Sequence, residues 1–96
     1  MSKKYDLFTM VGRRWFDKVN GNTYHSVEVY VNNKFIAKEG FAYGYEDHYR
    51  QTGFDLLKDH GFFMDFDTYY DMELDKREHI ECYLFSVTDV SRKKDL

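Results

Sequence analysis

A chain of 96 residues that is 43% hydrophobic and 20% aromatic has the size and apolar content of one folded domain, which excludes a disordered polymer. No apolar run approaches the roughly 18 residues of a transmembrane helix, and one cysteine, Cys82, excludes an internal disulfide framework. A net charge of −3 argues against non-specific nucleic-acid binding.

In chain order, residues 1–20 hold five bases against two acids, and Met1-Ser2-Lys3-Lys4-Tyr5-Asp6 lacks the apolar stretch and cleavage site of a signal peptide. With the lone thiol, this points to a reducing cytoplasm. Residues 5–16 read as a first strand. Asn20-Gly21 follows as a turn, since both residue types tolerate positive φ. Residues 24–31 alternate cleanly, with Val27, Val29 and Val31 on one face and Ser26, Glu28 and Tyr30 on the other. Asn32-Asn33 predicts a second turn, and residues 34–39 a third strand with Phe35 or Ile36 inward. The passage Gly40-Phe41-Ala42-Tyr43-Gly44-Tyr45 then carries the chain off the sheet.

A helix is predicted over residues 46–60, with Glu46 and Asp47 in its first turn, Tyr49, Gly53, Leu56 and Leu57 on one apolar stripe, and Gly61 behind its C-terminus. Mid-helix, Gly53 implies close packing on the sheet. Residues 62–78 allow a short strand at Phe62-Phe63-Met64 and a short acidic helix from Thr68 to Lys76. A last strand over residues 79–87 sets Ile80, Cys82 and Leu84 against Glu81, Tyr83 and Phe85. The expected fold class is α+β: an antiparallel sheet, made of a three-strand meander and a C-terminal strand, with one helix on one face, in the order β-β-β-α-(x)-β. Residues 1–88 form the domain and residues 89–96 a flexible basic tail.

No arrangement of catalytic, cofactor-binding or metal-ligating residues stands out. His25 and Ser26 are neighbours on a strand, so they point to opposite faces and cannot pair as base and nucleophile; a sheet-surface histidine is the reading. His48 and His60 sit about 120° apart around one helix and cannot share an ion. The Asp65, Asp67, Asp71 spacing fails as a calcium loop, with Tyr70 at the glycine position and Lys76 at the bidentate glutamate position. Cys82 reads as an inert core thiol.

Two clusters invite an interaction role. Residues 62–75 mix acids with aromatics and methionines, the composition of an interface core ringed by charge. Phe66, Asp67, Tyr69, Tyr70, Asp71 and Glu73 are its candidate partner-binding residues; the bland alternative is an amphipathic helix with its acids in water. Arg13-Arg14-Trp15-Phe16 interleaves bases with rings. It offers a single-stranded nucleic-acid face of Arg13, Arg14, Trp15, Tyr24 and Tyr30, against the plainer reading of cation–π pairs at a sheet edge.

The run from Arg13-Arg14-Trp15-Phe16 through Asn20-Gly21-Asn22-Thr23-Tyr24-His25-Ser26-Val27, continued by Phe41-Ala42-Tyr43-Gly44-Tyr45, resembles small phage and bacterial proteins that carry no assigned chemistry. The resemblance covers about a third of the chain. It implies a non-enzymatic phage-type protein that binds and blocks a host protein, such as a nuclease or nucleoprotein of a defence system, with no cofactor and no membrane. Nucleic acid is the second choice of partner.

Overall fold

The computed structural model describes residues 6–96. Strands β1 (Phe8–Asp17), β2 (Asn22–Val31) and β3 (Lys34–Tyr43) form the expected meander, followed by helices α1 (His48–Asp59) and α2 (Tyr69–Glu78) and by strand β4 (Tyr83–Val90). The sheet order is β3-β2-β1-β4. Among the described residues, no helix is long and apolar enough to cross a membrane.

Three features of the expected fold are corrected. The sheet is mixed: β1 pairs antiparallel with β2, but β4 lies parallel to β1, with Phe8 opposite Tyr83 and Trp15 opposite Val90. Helices α1 and α2 carry the chain from the β3 edge to the β4 edge, so β4 starts at the same end of the sheet as β1. There are two helices, not one. The alternation of the last strand is inverted as well. Residues 80–82 wind into a 3-10 turn, so the pleat begins only at Tyr83. Tyr83 is buried, and Phe85 and Val87 pack against the core, while Ile80 and Leu84 are 67% and 58% exposed.

The turns follow their chemistry. Asn32 and Asn33 have φ of 52° and 68°, the left-handed pair of a two-residue hairpin. At the first hairpin only Gly21 has positive φ, and its N–H donates to the Asp17 carbonyl at 2.7 Å. Asp17 holds that loop by accepting from the Val19 and Asn20 backbone. The third strand does not stop at residue 39. It continues to Tyr43 through an irregularity opposite Ser26.

The core lies between one sheet face and the helices. Val27, Val29 and Val31 face α1, where Tyr49, Gly53, Phe54 and Leu57 are buried; Leu56 is only half-buried against the core. Ile36, not Phe35, is the inward residue of β3. A Cβ on Gly53 would sit 2.7 Å from the Met10 sulfur, which explains a glycine in mid-helix. Glu46 and Asp47 precede the first helical turn instead of occupying it. His25 is not on the sheet surface. It is 1% exposed beneath α1, with Nδ1 3.1 Å from the Gly44 carbonyl and Nε2 2.7 Å from the Thr52 hydroxyl. A carbonyl only accepts, so Nδ1 carries the proton and Nε2 accepts from Thr52. Burial is the main cause holding this imidazole below its ordinary range, hence neutral.

Candidate interaction site

One acidic and aromatic cluster lies at the end of the sheet where β1 and β4 begin. There Phe8 stacks on Tyr83 at 5.6 Å and meets Phe63 at 4.4 Å between ring centroids, and Phe63 stacks on Phe66 at 5.4 Å. Phe63 takes φ of 57°, a left-handed conformation that costs a non-glycine residue. Lys58 of α1 stabilises the loop by donating to the carbonyls of Phe63 and Phe66. These rings form the wall of an open pocket of about 260 Å³, and Asp6, Asp65 and Asp75 contribute its carboxylates.

Each carboxylate arrives from a different element. Asp6 accepts from the Asn32 side chain at 2.9 Å, and Asn32 accepts from the Leu7 N–H, so the second hairpin turn positions the approach to β1. Asp65 is exposed on the loop between the helices. Asp75, on α2, accepts from the Tyr83 hydroxyl at 2.5 Å. Burial, then that carboxylate, pushes the Tyr83 phenol far above its ordinary range, so it remains a donor. His79 lies 4.0 Å from Asp75 and 3.9 Å from Glu81. Cys82 also faces the pocket, but burial, followed by Glu81 and Asp75, raises its thiol pKa, opposite to what a nucleophile needs. Among the described residues, no group of three His, Cys, Asp or Glu is placed to hold a metal ion.

The six residues singled out in the acidic segment divide. Asp67 and Tyr70 are exposed. Phe66 joins the pocket wall and packs against the core. Tyr69 packs edge-on against Phe54 and donates to Glu73 at 3.0 Å, and Glu73 lies 3.9 Å from Arg50. Asp71 closes a capping box with Thr68 and accepts from the Asp67 and Thr68 N–H groups, which hold its carboxyl below the usual range. Half of the segment's chemistry is therefore spent on building α2. Sequence reasoning missed Asp6, Phe8 and Tyr83, because nothing local announces that the starts of two strands 75 residues apart are neighbours.

The basic and aromatic residues lie elsewhere. Arg13 and Trp15 of β1 share the sheet face away from the helices with Tyr24 and Tyr30 of β2. Trp15 stacks on Tyr24 at 6.0 Å, Tyr24 on Phe41 at 4.5 Å, and Tyr30 meets Phe35 edge-on at 5.7 Å. Glu28 sits among them, 3.9 Å from Arg13 and accepting from the Tyr30 hydroxyl at 3.1 Å. Arg14 is on the opposite face, donating to Asp89 at 2.8 Å and to the Glu46 carbonyl. The structure thus brings four of these five residues together, with a carboxylate in their midst. Comparison of the chain with protein-family models, curated proteins and solved structures finds no match.

Proposed function

We propose that this chain is a small non-enzymatic binding protein, phage-type by its sequence resemblance, that docks on a basic macromolecule and blocks it. A nucleic-acid-handling host defence protein suits the role, because its cationic groove accepts carboxylates in place of phosphates. The observation that carries the reading is the pocket at the β1/β4 end. It combines aromatic walls with Asp6, Asp65 and Asp75, a lining that attracts a lysine or arginine side chain through both ring faces and charge. Met64, Tyr70 and Ile80 are exposed and supply apolar area of the kind that interfaces bury.

The nucleic-acid alternative asks for Arg13, Arg14, Lys18 and the basic tail on one face, clear of carboxylates. Glu28 beside Arg13 and the opposite orientation of Arg14 weigh against it. The test is affinity purification from the host with and without nuclease digestion, followed by binding kinetics at two salt concentrations. Asp65→Asn with Asp67→Asn should slow association and flatten its salt dependence, since exposed charges steer encounter. Tyr70→Ala should speed dissociation, by about 2 kcal/mol if the ring is a hot spot. Binding that survives all three changes but is lost with Arg13→Ala or Trp15→Ala would establish the nucleic-acid reading instead.

A further inference from the structure

We infer that residues 91–96 form a displaceable strap over the aromatic end of the open sheet face, occupying the place where a lysine-bearing segment of a partner protein docks. The path of the chain supports a strap. It leaves β4 at Val90, opposite Trp15, and its last residue, Leu96, accepts from Lys38 of β3 at 3.4 Å. These two strands are the opposite edges of the sheet. Three strand spacings of about 4.8 Å separate them, a span that six residues can cross only by running over β1 and β2. Midway, the Lys93 ammonium lies 4.7 Å from the Phe41 ring centroid, on the stack that Phe41, Tyr24 and Trp15 form. A short turn closed by the Arg92–Asp95 pair at 3.0 Å shapes the segment, and Asp95 and Leu96 are half-buried.

The strap's occupancy indicates the partner's chemistry. The group it lays on the rings is a primary ammonium, and Asp17, at the end of β1, feels the Lys93 charge. Its carboxyl is held low chiefly by the Asn20 side chain, with Lys93 a smaller influence. Among the described residues, the strap's hold on the sheet includes one cation–π contact and one long hydrogen bond, each weak at an exposed position. An incoming basic segment can therefore replace it.

This surface is separate from the pocket at the β1/β4 end, and the test keeps the two apart. The chain ending at Val90 and the point variant Lys93→Ser are compared with the full chain. One readout is acrylamide quenching of Trp15, the sole tryptophan; the other is anisotropy of a labelled octalysine peptide. Both variants should quench more readily, and affinity for the peptide should rise at least about fivefold, the low end of intramolecular coupling. Phe41→Ala should abolish that gain, while Asp65→Asn with Asp67→Asn should preserve it. Unchanged quenching, unchanged affinity, a gain that survives Phe41→Ala, or stronger binding of an oligodeoxythymidine than of the peptide would each overturn the inference.

Discussion

Gly12 of β1 and Gly40 of β3 belong to one sheet, with β2 between them, yet replacing each with alanine should move stability in opposite directions. A Cβ on Gly12 would lie 2.7 and 2.8 Å from the Tyr49 ring atoms Cδ2 and Cγ and 3.2 Å from its Cβ. Tyr49 is 2% exposed under α1, so its ring has no solvent to move into, and α1 must shift away from β1. Overpacking of that kind costs about 1–3 kcal/mol. Alanine recovers only about 0.4–1 kcal/mol by restricting the unfolded chain, which leaves a net loss near 1–2 kcal/mol. At Gly40 nothing lies within 4 Å of the new methyl and the backbone is not left-handed, so the unfolded-state gain stands alone. Urea titrations of both variants, analysed at a common slope, provide the assay. For a domain of this size 1 kcal/mol corresponds to a melting shift of about 4–8 °C, well within detection. A Gly12→Ala variant as stable as the parent would refute the packing of Tyr49 on β1.

Leu57→Ala should lower stability by about 2–5 kcal/mol in the same assay, since Leu57 is fully buried between α1 and β2. The neutral state of His25 makes the fold sensitive to acid. Its folded pKa lies below the ordinary 6.5, so the unfolded chain takes up the proton first; the stability it contributes is complete above about pH 6.5 and is lost as pH falls through the folded value. Melting temperatures from pH 8 to pH 5 should show that fall, and His25→Gln should flatten it while lowering stability at pH 8. Cys82 should react slowly with a disulfide reagent in the native protein and fast in denaturant, because it is buried and its thiol pKa is raised. Fast native labelling would place it on an accessible surface.

Local chemistry sufficed for much of this fold. The alternation of Val27, Val29 and Val31 marked the side of β2 that faces the core, although His25 on that same side reads by sequence as a surface residue, Asn32-Asn33 set a two-residue turn, and Tyr49, Gly53 and Leu57 marked the buried side of α1. Each of these depends on neighbours within a turn or a pleat, and periodicity records such neighbours. The last strand was different. Leu84 and Phe85 are both apolar, so alternation had two acceptable phases, and only the 3-10 turn at residues 80–82 and the pairing of Phe85 with Met10 selected one. The parallel placement of β4 depended on how far two helices carry the chain, a length and direction that no local pattern encodes. The same holds for the candidate site. The acids and rings of residues 62–75 were visible as a composition, but tertiary packing decided that Asp71 caps a helix, that Glu73 holds Tyr69, and that Asp6, Phe8 and Tyr83 complete a pocket. Side chains become a site through contacts between distant segments, and burial of the Val27, Val29 and Leu57 core is what brings those segments together.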